Sequence, residues 1–151
     1  MPVSKILVVY ASMTGNTEEM AEAIAEGARE AGAEVVAKDA FDASPDELAE
    51  YEGIIIGAYT WGDGELPDEF LDFYEGMESL ELGGKRAAAF GSGDTSYPIY
   101  CGAVDLIEER LRKLGASIVS ESIKFEYNPS EEEKEQGRSL GRQMAGLLAA
   151  G

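Results

Sequence analysis

Short apolar runs alternate along the chain with segments whose hydrophobic residues recur at helical spacing. Ile6-Leu7-Val8-Val9-Tyr10, Ile54-Ile55-Ile56 (between Gly53 and Gly57) and Ala87-Ala88-Ala89-Phe90 are nearly continuous apolar stretches, the pattern of strands covered on both faces. Glu34-Val35-Val36-Ala37 and the stretch Ser117–Phe125 are shorter or mixed with polar residues, as edge strands are. Between them, Met20, Ala21, Ile24, Ala25 and Ala28 line one face of a helix closed by Gly32, and Asp46–Tyr51 fits a turn or two of helix. A helix near Asp68–Tyr74 directs Phe70, Leu71 and Tyr74 inward, and Val104, Ile107, Leu111 and Leu114 line another, stopped by Gly115. The last helix opens with the capping-box spacing Ser130-x-x-Glu133 and carries Leu140, Met144, Leu147 and Leu148 on its core face.

Strand–helix alternation of this kind predicts an α/β fold: a doubly wound five-stranded parallel sheet with helices on both faces. The three most apolar strands belong in the centre, which favours the order 2-1-3-4-5. With 151 residues, no linker and no repeat, the expectation is one domain over 1–151. In such sheets ligands bind beyond the carboxyl ends of the strands, near the point where strand order reverses. That rule selects three loops: Ser12–Thr17, Tyr59–Pro67 and Ser92–Gly102.

Composition narrows the chemistry. The chain has no histidine, which removes histidine metal sites, Ser-His-Asp triads and a histidine base. One cysteine, Cys101, removes disulfide frameworks, Cys-x-x-Cys redox pairs and four-thiolate clusters, and no metal site is expected. Thirty acids against 12 bases give a net charge of −18, which repels nucleic acid and anionic membranes and attracts basic proteins; solubility or a salt-loving host accounts for it equally well. No apolar run approaches the ~18 residues of a membrane span. Met1-Pro2-Val3-Ser4-Lys5 runs straight into the first strand, so a cytoplasmic location is expected.

The first loop, Ser12-Met13-Thr14-Gly15-Asn16-Thr17, is rich in hydroxyls and contains no Lys or Arg. At a helix N-terminus it offers backbone N–H groups, three hydroxyls and an amide to a phosphate; as a plain helix cap it would use the same residue types. It is neither a Walker loop nor G-x-G-x-x-G. The second, Tyr59-Thr60-Trp61-Gly62-Asp63-Gly64-Glu65-Leu66-Pro67, holds the only tryptophan, which either packs on the protein or serves as a stacking platform. The third contributes Ser92, Gly93, Asp94, Tyr97, Tyr100 and Cys101. Two aromatic loops flanking a phosphate loop describe a slot for a flat aromatic phosphate.

These motifs resemble those of the flavodoxin family, in its short-chain Bacillus-like and Desulfovibrio-like form, over essentially the whole chain. Ser-x-Thr-Gly-Asn-Thr at 12–17 is similar to the family's FMN phosphate loop. Thr60-Trp61-Gly62-Asp63-Gly64 and Gly91-Ser-Gly-Asp-Thr-Ser-Tyr97, followed by Cys101-Gly-Ala-Val, are similar to its two isoalloxazine loops. The resemblance implies a flavodoxin-like fold and noncovalent FMN in a low-potential one-electron carrier rather than an enzyme. It puts Trp61 on one ring face and Tyr97 on the other, the Gly62 carbonyl at N5, and backbone groups near Asp94 and Cys101 on the pyrimidine edge. Tyr100 is then a ring contact or stands one layer back, and Cys101 contributes its backbone N–H. Glycine at 62 permits the peptide to Asp63 to flip, and Asp63, Glu65 and Asp94 lower the second reduction potential. The implied partners are a flavodoxin reductase and acceptor redox enzymes, such as a P450 or a nitrogen-metabolism enzyme. They meet a monomer at the acidic surface near the flavin edge. The alternative is an FMN-dependent quinone or nitro-compound reductase on the same fold. A receiver domain would need an acidic cluster after the first strand and an acceptor Asp after the third. Ala11-Ser12 and Gly57-Ala58-Tyr59 stand there instead.

Overall fold

A parallel sheet carries four helices, two on each face, in a computed structural model that describes residues 4–11, 15–60, 65–93, 101–126 and 128–150. The strands are β1 (Lys5–Ala11), β2 (Glu34–Asp39), β3 (Gly53–Tyr59), β4 (Arg86–Gly93), β5 (Ser117–Ile118) and β6 (Ile123–Glu126). The helices are α1 (Asn16–Glu30), α2 (Asp68–Gly76), α3 (Gly102–Lys113) and α4 (Glu131–Ala150). The order is β2-β1-β3-β4-β5, with β6 also beside β4, and each of these pairings is parallel. The apolar continuity of the central strands placed them correctly.

Alternation of side chains splits the core into two layers. Leu7, Val9, Ile54, Ile56, Ala87 and Ala89 face α2 and α3, where Phe70, Phe73, Met77, Val104, Ile107 and Leu111 cover them. Ile6, Val8, Ile55, Ala88 and Phe90 face α1 and α4, against Met20, Ile24, Leu140 and Met144. In the β3–β4 register Gly57 lies opposite Phe90, and a Cβ at 57 would stand 2.4 Å from the Phe90 ring. Glycine there is room for the aromatic ring.

Two sequence expectations are corrected. The fifth strand is not continuous from 117 to 125: β5 and β6 are separated by residues 119–122. Between the pairs Ala87↔Ile118 and Phe90↔Ile123 the edge chain advances five residues while β4 advances three. The extra residues form a bulge over the polar Ser120-Glu121-Ser122 segment. The turn or two of helix expected over Asp46–Tyr51 is present as a 3₁₀ segment, Pro45–Glu50. On α2 Phe70 is buried as expected and Leu71 and Tyr74 pack half-buried against the core, but the residue buried beside Phe70 is Phe73, which the sequence reading did not place inward. Tyr74 is held at the rim because the Arg110 guanidinium lies 4.1 Å above its ring and Arg110 Nη1 donates to the Tyr74 carbonyl at 3.2 Å.

The capping box at the start of α4 is present in both directions: Ser130 N–H donates to Glu133 Oε1 at 2.9 Å, and Glu133 N–H donates to Ser130 Oγ at 3.1 Å. The core face of α4 is Leu140, Met144 and Ala145, with Leu147 and Leu148 half-buried. Among the described residues no helix is long and apolar enough to cross a membrane.

Candidate functional site at the carboxyl edge of the sheet

The three loops singled out from the sequence leave β1, β3 and β4 at the same edge of the sheet. Of the candidate residues, Gly15, Asn16, Thr17, Thr60, Ser92, Gly93 and Cys101 are described. Ser12, Met13, Thr14, Trp61, Gly62, Asp63, Gly64, Asp94, Tyr97 and Tyr100 lie outside the described residues.

The first loop enters α1 through Gly15, whose φ of 90° is left-handed and whose Cβ position is open. A glycine is required there because other residues adopt this backbone only with strain. The Gly15 carbonyl accepts the first helical bond, from Glu19 N–H at 2.9 Å. Among the described residues the N–H groups of Asn16, Thr17 and Glu18 have no acceptor, and no side chain caps them. Two acids stand in this first turn, yet each is drawn to a partner. Glu18 Oε1 accepts from Tyr10 OH at 3.1 Å, and Glu19 Oε1 pairs with Lys134 at 3.2 Å. Burial, followed by the Glu18 hydrogen bond and its charge, pushes the Tyr10 phenol up to about 12, so its proton stays in place at neutral pH.

The ends of β3 and β4 are laced to this turn. Thr17 is buried, and its Oγ1 lies 3.4 Å from the buried Ser92 Oγ, joining the first loop to the third. Thr60 N–H donates to the Ser92 carbonyl at 2.8 Å, and Thr60 Oγ1 accepts from Ala103 N–H at 3.3 Å. The second loop thereby starts from a residue tied both to β4 and to the first turn of α3. Beyond Ser92 the chain passes close to itself: a Cβ on Gly93 would meet the Cys101 backbone nitrogen at 2.7 Å.

Cys101 is fully buried and left-handed (φ 53°, ψ 40°) at the N-cap of α3. Its Sγ lies 3.8 Å from the carbonyls of Gly91 and Phe125. The family resemblance implies a backbone role for Cys101; it gave no sign of this conformation, for which a non-glycine residue carries no signal. It also missed Ala103, whose N–H has no distinctive residue type.

The donor set fits a phosphate. Open N–H groups at a helix N-terminus, a positive dipole end and a neighbouring pair of buried hydroxyls suit an anion, with no Lys or Arg in the three loops. Among the described residues no cluster of His, Cys, Asp or Glu assembles a metal-ligand set.

The flavodoxin sequence profile matches residues 8–141. The chain belongs to the flavodoxin family. It is 51% identical over 144 residues to the probable flavodoxin 2 of Bacillus subtilis, spanning 95% of each chain. It is 41% identical over 148 residues to the flavodoxin of Nitratidesulfovibrio vulgaris, covering 96% of this chain and all of that one. The crystal structure of oxidised Flavodoxin 1 from Bacillus cereus superposes with a TM-score of 0.92 at 47% identity, over 96% of this chain and 99% of that one. Flavodoxins of this short-chain kind are FMN-containing electron-transfer proteins rather than enzymes.

Proposed function

We propose that Ser12, Met13, Thr14, Gly15, Asn16 and Thr17 hold the FMN phosphate. We further propose that Thr60, Trp61, Gly62, Asp63 and Gly64 hold one side of the ring system, and Ser92, Gly93, Asp94, Tyr97, Tyr100 and Cys101 the other. In this reading the protein is a cytoplasmic monomer. It takes electrons from a flavodoxin reductase and passes them to acceptor redox enzymes at its acidic surface. The observation that carries the assignment is the open first turn of α1 behind left-handed Gly15, roofed by the buried Thr17–Ser92 pair.

Bound FMN supplies the one-electron chemistry; the chain supplies position and electrostatics. The N–H groups of Asn16, Thr17 and Glu18, with the dipole of α1, neutralise phosphate charge without a cationic side chain. Thr60 fixes the root of the second loop against β4 and α3. Trp61 and Tyr97 would shield the ring system from water, and Gly62 would offer its carbonyl as a hydrogen-bond acceptor to it. Asp63, Glu65 and Asp94 oppose the addition of negative charge and so lower the potential. A unit charge about 10 Å away contributes roughly 0.4 kcal/mol in water and about 1.7 kcal/mol at an effective dielectric near 20. Several such charges together make a low-potential carrier.

The test is a titration of the apoprotein with FMN, followed by flavin fluorescence, and then stepwise anaerobic reduction. The expected outcome is stoichiometric binding and two resolved one-electron steps. Thr17→Val removes the hydroxyl that faces Ser92 and weakens FMN binding about tenfold, the loss of one hydrogen bond. Failure of the wild-type protein to bind FMN overturns the reading. Rapid oxidation of NADPH by the isolated holoprotein favours the reductase alternative.

A further inference from the structure

We infer that Phe41, set among the carboxylates beyond the end of β2, is the apolar anchor on which a basic redox protein docks. The inference rests on the carrier reading above and adds to it a specific footprint.

Phe41 is the large hydrophobic side chain that stands out in solvent among the described residues, at 75% exposure. Its backbone is nonetheless pinned. Phe41 N–H donates to Asp39 Oδ1 at 2.9 Å, Asp42 N–H donates to the Asp39 carbonyl at 2.9 Å, and Ala40 N–H donates to the Tyr10 carbonyl at 2.8 Å. A ring presented from a fixed turn loses little freedom on binding, which is what makes an aromatic residue an effective anchor.

The surroundings select the partner. Asp39 and Asp42 flank the ring in the chain, and Glu18 and Glu22 of α1 join Asp39 in acting on the Tyr10 phenol. The neighbouring cation, Lys38, is taken up by Glu47 at 2.6 Å. A protruding ring inside a negative field fits an apolar pocket rimmed by Lys and Arg on another protein; it does not fit an anionic lipid surface or nucleic acid. Position supplies the purpose. Asp39 lies opposite Tyr10 in the β1–β2 register, one strand spacing (about 4.8 Å) from the strand that feeds the 12–17 loop. A protein seated on Phe41 therefore lies against the same edge of the sheet as the cofactor loops.

The FMN-loaded full-length protein and its Phe41→Ala and Phe41→Leu variants are titrated calorimetrically with a purified NADPH-dependent flavodoxin reductase. The rate of electron transfer is then followed by stopped flow at several salt concentrations. Phe41→Ala is expected to weaken association and slow second-order transfer roughly tenfold. FMN affinity and thermal unfolding stay unchanged, because the ring is exposed and belongs to neither core cluster among the described residues. Phe41→Leu keeps most of the wild-type rate, and Asp42→Asn slows transfer at low salt while flattening its decline with added salt. Wild-type affinity and rate in Phe41→Ala overturn the inference. So does sedimentation showing a wild-type dimer that Phe41→Ala dissociates, since the ring is then covered by a second copy. A wild-type protein that binds FMN but exchanges no electrons overturns the carrier reading and the docking assignment together.

Discussion

The two faces of the sheet are closed by opposite means. Over one face, α2 and α3 are filled with large side chains, Phe70, Phe73, Met77, Ile107 and Leu111, and are tied to each other at the rim by Arg110 on Tyr74. Over the other, α1 and α4 meet almost backbone to backbone. A Cβ on Gly27 would stand 1.9 Å from the Arg138 carbonyl oxygen, and one on Gly141 would stand 2.1 Å from that of Ile24. Gly137 completes the stripe, its would-be Cβ 2.6 Å from Met20 Sδ. Both faces remove apolar surface from water, and the second adds the close approach of two helices. The difference bears on the site. The N-terminus of α1 is the proposed phosphate cradle, and α4 clamps the whole length of that helix: Lys134 reaches Glu19 in its first turn and Arg142 reaches Glu30 at its end. The cradle is positioned by that helix–helix contact together with the core residues Met20, Ile24 and Ala28 that seat α1 on the sheet.

The comparison breaks most visibly where atoms are removed from the side-chain face. Phe70 is fully buried, so Phe70→Ala leaves a cavity and costs about 3–5 kcal/mol in chemical denaturation. The glycine face breaks in the reverse direction, by addition. At Gly141 a methyl meets the Ile24 carbonyl oxygen at 2.1 Å and the Ala28 nitrogen at 2.7 Å, both backbone atoms that cannot swing aside. Gly141→Ala is therefore expected to cost about 1–3 kcal/mol, even though alanine is the better helix former. Gly146→Ala on the same helix sharpens the contrast, because a Cβ there meets nothing within 4 Å. It should stabilise the protein by up to about 1 kcal/mol. Thermal and urea unfolding of the two alanine variants side by side checks the sign. Equal effects would mean that helix propensity, not helix approach, governs α4.

These two faces were unequally legible in the sequence. The side-chain face follows from continuous apolar runs and period-3.6 patterns that local residues carry, so β1, β3, β4 and α3 were read directly. The helices of the glycine face were read from the same helical spacing, and Met20, Ile24, Leu140 and Met144 are buried as expected; their close approach was not read, although Gly137 and Gly141 one turn apart on α4 are a visible signal of it. A glycine by itself does not say whether it marks flexibility or contact. Tyr74 was assigned inward because a nine-residue helix gives few turns to fix its face, and the residue that holds it at the rim, Arg110, lies 36 positions away. The break between β5 and β6 depends on the register of β4, which no pattern inside 117–125 contains. At the site, the hydroxyl-rich first loop pointed to Thr17, and the family resemblance pointed to Thr60 and Ser92. The lacing between them is a long-range fact: Thr17 and Ser92 are 75 residues apart.

The smallest effect belongs to the polar rim of the glycine face, where Tyr10 OH donates to Glu18 across the end of β1. The phenol is raised to about 12 by burial first and then by Glu18, with Asp39 and Glu22 acting in the same direction. A tyrosine in the unfolded chain releases its proton near pH 10. Between about pH 10 and 12 the native state keeps a proton that the unfolded state has lost. Unfolding then releases a proton, and stability falls as pH rises. The contribution is fully present below pH ~10, is lost progressively through that window and is absent above the folded value. Tyr10→Phe should flatten this limb of the stability–pH curve, and it should change stability at neutral pH by no more than about 1 kcal/mol, the worth of one hydrogen bond. Urea unfolding at pH 8, 10 and 11 measures both. A wild-type limb that persists unchanged in Tyr10→Phe would transfer the alkaline sensitivity to groups away from the α1 terminus.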